Sequence, residues 1–122
     1  MKFHVIYQQT SPNAHSPIRV VEQTTGREVG WNNRYLAREY VRRLANTSLR
    51  IYAHNLLQFV RWWESLHHTV DVAEADLTES TLLDYLRFQS SLQPRPSAST
   101  INARVSVTDR AIRTSSRMLP VR

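Results

Sequence analysis

The apolar positions of this chain recur with two different periods. Residues 3–7 (FHVIY) and 18–22 (IRVVE) are short runs of β-branched and aromatic side chains, the composition of half-buried strands. Ser, Pro, Asn and Gln fill the stretch between them, and Thr25-Gly26 follows the second run as a turn. The pattern therefore predicts a small strand or hairpin appendage at the N-terminus. From residue 31 onward the spacing becomes that of helices.

Over 31–45, Leu36, Tyr40 and Leu44 recur every four residues, with Asn32 or Asn33 as candidate N-caps and Arg34, Arg38 and Arg42 along another face. This predicts an amphipathic basic helix. Asn46, Thr47 and Ser48 supply a fresh cap for a second helix, 48–66, in which Leu49, Tyr52/Ala53, Leu56, Phe59/Val60 and Trp63 repeat at three and four residues. Its polar side carries Arg50, His54, Gln58 and Arg61. After an acidic connector, Thr78 opens a third helix, 78–92, with Leu82, Leu83 and Leu86, and Gln93-Pro94-Arg95-Pro96 ends it. Ser97 or Ser99 caps a fourth, 98–116, where Ile101, Val105, Thr108 and Ile112 line one side and Ser99, Ser106, Arg110, Arg113 and Arg117 the other, with Asn102 and Arg104 at its flanks. The fold expected is all-α, a small four-helix bundle with a β appendage. Residues 1–30 form the appendage and loop, 31–117 the helical domain and 118–122 a tail.

Charge sharpens this picture because it is blocked along the chain. Residues 1–61 hold nine cations and three acids, 62–86 hold six acids and no cation, and 87–122 hold seven Arg and one Asp. The whole carries +6, and every cation except Lys2 is Arg, whose planar fork suits phosphate and guanine edges. A basic surface built from the first and last thirds, with the acidic middle turned away from a polyanion, is the expectation.

Other chemistries find little support. Zero Cys removes thiolate metal centres, disulfides and thiol nucleophiles, and two Gly in 122 residues argue against a phosphate-cradling loop. No apolar run approaches the roughly 20 residues of a membrane span, so a cytoplasmic location without membrane partners is the default. His67-His68 are adjacent, and adjacent helical residues do not face one ion. Glu74, Asp76 and Glu79 fit a helix start, where the dipole favours acids. Trp62 and Trp63 could stack on bases, although at least one belongs to the core. Tyr40, Tyr52 and Tyr85 lie near apolar positions and read as packing residues. No cofactor, metal or small-molecule substrate is expected.

The order of elements resembles the core-binding domain of tyrosine recombinases of the phage-integrase and Xer type. The resemblance rests on VVEQTTGREVGWNNRYLAREYVRRLANTSLRIYAHNLLQFVRWWESL, in which Tyr52, Leu56, Phe59 and Trp62 or Trp63 match a Tyr-x-x-x-Leu-x-x-Phe-x-x-Trp helix, and on DLTESTLLDYLRFQSSL and SASTINARVSVTDRAIR. It spans about residues 18–116. ANTSLR departs from it by lacking the Gly and Pro common between the first two helices. The resemblance implies a SAM-like bundle that grips double-stranded DNA with two helices crossing the major groove, here 48–66 and 98–116, in a protein that integrates or recombines DNA. Other recombinase protomers are the second partner it implies.

Carried onto this chain, the candidate DNA-binding residues are Ser48, Arg50 and His54 on the first of these helices and Ser99, Thr100, Asn102, Arg104 and Arg110 on the second, with Arg42 and Arg43 in support. The family's catalytic domain contributes an Arg, a Lys, a His-x-x-Arg element and a Tyr nucleophile. None of His4, His15, His54, His67 or His68 is followed three residues on by Arg, so the chain itself is expected not to be an enzyme. A helical protein–protein module whose Arg faces meet acidic partners is the alternative.

Overall fold

The computed structural model describes the backbone of residues 2–7 and 16–118 and the side chains up to Thr114. Strands β1 (Phe3–Tyr7) and β2 (Ile18–Glu22) precede four helices, α1 (Gly30–Val41), α2 (Asn46–His67), α3 (Glu79–Ser90) and α4 (Ala98–Met118), with one 3-10 turn at Glu74–Asp76. The mostly helical bundle with a small β element matches the pattern of periods. The Ser/Pro-rich loop expected between the strands and the end of the tail fall on residues 8–15 and 119–122, outside those described.

The strands pair antiparallel with Phe3 opposite Glu22, Val5 opposite Val20 and Tyr7 opposite Ile18. Gly26 takes φ 70° in the turn after β2, the left-handed conformation that a residue without Cβ adopts at least cost. Phe3, Ile18 and Val20 are buried in the same core as Leu36, Leu56 and Ile112, so the hairpin closes one side of the bundle. Phe59 sits at the centre: its ring meets Trp31 edge-on at 6.0 Å, Trp63 at 5.8 Å and Tyr85 edge-on at 5.1 Å. Trp62 and Trp63 are both buried, which corrects the stacking-platform expectation. Trp62 packs on Tyr85 and Phe88 of α3, while Trp63 stacks on Phe59 and donates its indole N–H to the Asp71 carbonyl at 3.2 Å.

Several helix ends differ from expectation, each for a local reason. Helix α1 starts at Gly30, and neither Asn32 nor Asn33 caps it. Asn33 instead pairs with the outer edge of β2, accepting the Val20 N–H at 2.8 Å and donating to the Val20 carbonyl at 2.9 Å. The helix stops at Val41 because Arg43 turns left-handed, φ 65°. The buried face is therefore Trp31, Asn32, Tyr35 and Leu36 rather than Leu36, Tyr40 and Leu44, and Tyr40 is exposed. Asn46, Thr47 and Ser48 lie inside the first turn of α2 and make no capping bond. Thr78 does cap α3, accepting the Thr81 N–H, and Ser97 caps α4, accepting the Thr100 N–H, both at 3.1 Å.

Candidate nucleic-acid interface

Helices α1 and α2 run antiparallel: Trp31 meets Phe59 at one end and Tyr35 lies 6.3 Å from Tyr52 at the other. The reversal between them is closed by Arg43, whose N–H donates to the Tyr40 carbonyl at 2.9 Å, and by Leu44, whose N–H donates to the Glu39 carbonyl at 3.0 Å. These two bonds satisfy the last carbonyls of α1 and leave the side chains of Arg42 and Arg43 exposed. Helix α4 passes beside this end, with Arg38 Nη1 donating to Thr114 Oγ1 at 3.1 Å and the Arg110 guanidinium 5.7 Å from the centre of the Tyr52 ring. Burial pushes the Tyr35 hydroxyl above its ordinary value, and the nearby Arg110 and Arg38 pull against that shift. The two cations thus share one neighbourhood with Tyr35.

Arg50 lies on the other flank of α2. Its guanidinium is 5.8 Å from the centre of the Tyr7 ring, and with His54 it lines a cleft of about 150 Å³ whose other walls are Val5, Ile6, Tyr7 and Ile18. Residues 50 and 52 are about 200° apart on a helix at about 100° per residue. Arg50 and Arg110 are consequently not adjacent: they bracket the exposed face of α2, which presents Ile51 between them. Ser48 is half-exposed in the first turn, which carries no acidic residue.

The candidates on α4 divide. Ser99 and Asn102 are exposed near its start, and Thr100 is engaged by the Ser97 hydroxyl at 2.9 Å. Arg104 turns inward toward α3, where its Nη1 is 3.5 Å from Gln89 Oε1. Arg113, expected on the wet face, forms ion pairs with Asp109 at 2.8 Å and Glu74 at 3.0 Å, both of which hold its charge more firmly. The acidic connector is therefore tied to α4 rather than wholly separate from the basic segments.

Among the described residues, no carboxylate lies within 4.0 Å of Arg42, Arg43, Arg50 or Arg110. Glu64 is 14 residues from Arg50, about 21 Å along the helix, and the connector acids follow it. Tyr7 and Tyr52 are the participants that the sequence reading missed. The alternation Phe3, Val5, Tyr7 along β1 could have placed Tyr7 on the face toward α2, but no local spacing links Tyr52 to Arg110. His67 packs on the Trp63 ring at 3.8 Å, and His68 caps the end of α2 with φ 57°.

No protein-family model matches this sequence, and no curated protein or solved structure matches it either. No helix among the described residues is long and apolar enough to cross a membrane.

Proposed function

We propose that this chain is a DNA-binding module of the core-binding type of tyrosine recombinases, a SAM-like bundle that holds duplex DNA while a separate catalytic domain breaks and rejoins the strands. One observation carries the reading. The exposed face of α2 is flanked on both sides by guanidinium groups free of carboxylates, Arg50 on the Tyr7 side and Arg110 on the Tyr52 side. A helix with side chains is about 10–12 Å across and the major groove about 12 Å wide, so cations on both flanks meet phosphates on both walls. Ile51, His54, Asn55 and Gln58 then face the base edges, Arg42 and Arg43 extend the contact to the neighbouring backbone, and the chain contributes grip and position without cleavage chemistry.

A second reading has its own support: Val41 and Ile51 at this end are 60% and 59% exposed, as suits a module that meets an acidic protein. Fluorescence anisotropy with labelled duplex DNA at several salt concentrations separates the two. The DNA reading expects affinity that falls steeply with salt, and a slope reduced by roughly 1.8 in Arg50→Ala/Arg110→Ala at about 0.9 per phosphate lost. The double variant should stay within about 2 kcal/mol of wild-type stability, since each guanidinium gives up one ring contact of roughly 0.5–1 kcal/mol. Absence of duplex binding at low salt, or binding indifferent to salt, removes the DNA reading.

A further inference from the structure

The rings beside the two flanking arginines are not equally explained by the fold. Tyr52 is half-buried, packs against the core and lies 6.3 Å from Tyr35, so its ring has a structural use. Tyr7 ends β1 opposite Ile18 and is 54% exposed, so its burial adds little to the core. What the Tyr7 ring does meet is Arg50, whose guanidinium carbon sits 5.8 Å from the ring centre. Arg110 stands in the same relation to Tyr52 at 5.7 Å. Both separations fall inside the roughly 6 Å at which a cation is drawn to an aromatic face.

An exposed arginine without such a neighbour marks no fixed place. Its long side chain samples many rotamers, and a contact that needs one of them must overcome the loss of the others. A ring anchored to the fold restricts the guanidinium before any ligand arrives. It also leaves the charge unspent, as a carboxylate would not, and no carboxylate lies within 4.0 Å of either arginine among the described residues. The contacts tie together three elements: Tyr7 of β1 meets Arg50 of α2, and Tyr52 of α2 meets Arg110 of α4. Arg42 and Arg43 have no ring contact of this kind among the described residues.

We infer that Tyr7 and Tyr52 are positioning residues that hold the Arg50 and Arg110 guanidinium groups in place on the two flanks of α2, and so favour double-stranded over single-stranded DNA. The inference rests on the duplex reading above. A duplex presents phosphates on both walls of a groove at a set spacing, which two cations ordered in advance meet at less cost in entropy. A flexible single strand adapts to cations wherever they lie and profits less from their ordering. The face of the ring makes the contact, so the phenol hydroxyl is not needed.

Two measurements on Tyr7→Leu and Tyr7→Phe test this. In the protein without DNA, 15N relaxation of the Arg50 Nε–Hε group, identified with Arg50→Lys, should report a restricted side chain in wild type and Tyr7→Phe and a mobile one in Tyr7→Leu. Fluorescence anisotropy should show Tyr7→Leu binding a duplex about two- to fivefold more weakly, the scale of one exposed contact of this kind. Its salt slope should be unchanged because the charge remains. Tyr7→Phe should match wild type, and the Tyr7→Leu loss should be smaller for a single strand of the same sequence. Added to Arg50→Ala, Tyr7→Leu should cost nothing more, since the ring acts only through that arginine. Tyr52→Leu should repeat the pattern at Arg110; where that half-buried variant fails to fold, the Tyr7 variants decide. An Arg50 side chain already mobile in wild type, or a Tyr7→Leu loss that persists beside Arg50→Ala, overturns the positioning role. Equal losses for duplex and single strand overturn the strand preference. Ordering of Arg50 by Tyr7 in a protein that binds no duplex keeps the positioning role and ends the duplex reading.

Discussion

Replacing Arg43 by Gly should make the protein more stable and a weaker DNA binder at once. Arg43 sits just past the end of α1 at φ 65°, where its N–H and that of Leu44 close the helix onto the Tyr40 and Glu39 carbonyls. A residue with a Cβ in this conformation costs roughly 1–2 kcal/mol, and glycine returns about 0.5–1 kcal/mol of that through its freer unfolded chain. The net gain is about 0.5–1 kcal/mol, a rise of roughly 2–5 °C in Tm for a domain of this size. No packing is lost in exchange, because the side chain is exposed and makes no ion pair among the described residues. Arg43→Ala is the control: it removes the same cation but keeps the backbone cost. Urea denaturation should rank Gly above wild type and Ala at or below it, while both variants lose roughly 0.9 from the salt slope of duplex binding. A glycine variant no more stable than the alanine variant would refute the backbone argument, and unchanged slopes in both would remove Arg43 from the phosphate contacts.

The same residue marks the boundary of what could be read from sequence. Helical periodicity located all four helices, because the core face repeats every three to four residues whatever its partners are. Capping was legible at α3, where Thr78 bonds the Thr81 N–H, and at α4 as one of two candidates, Ser97 rather than Ser99 bonding the Thr100 N–H. It failed where several polar residues competed, since Asn33 spends its amide on β2, a partner 13 residues earlier in the chain. The end of α1 was missed because Arg43 occupies a position normally given to Gly or Asn, so no composition signal announced the reversal. For the candidate interface, periodicity distinguishes wet from buried faces but not which wet face meets which neighbour. It set Arg50 and Arg110 on exposed sides of their helices, and only the packing of β1 and α4 against α2 placed them on opposite flanks of one helix. Arg104, at the margin of its polar face, was turned inward by Gln89, which helical spacing alone could not show.

Two other substitutions probe the hairpin that closes the bundle. Glu22 is almost buried, and its carboxylate accepts both the N–H of Thr25, at 2.6 Å, and its hydroxyl, at 2.8 Å; those bonds hold its pKa below the ordinary 4.5. Its contribution to stability is therefore fully present above about pH 4.5 and is lost as the pH falls through the lower folded-state value. Glu22→Gln should flatten that part of the acid limb in urea midpoints measured from pH 6 to pH 3, and an unaltered limb would show that the bonds to Thr25 do not distinguish the charged carboxylate. Asn33→Ala tests the edge of β2, for it removes both amide bonds to Val20, leaving the strand N–H without its partner and the carbonyl with only the Val29 N–H at 3.1 Å. Two neutral bonds at about 1 kcal/mol each give an expected loss of roughly 2 kcal/mol, read as a lower urea midpoint with an unchanged denaturant slope. A loss below about 0.5 kcal/mol would mean that water reaches the freed groups and that the hairpin is held by Phe3, Ile18 and Val20 in the core rather than by this amide.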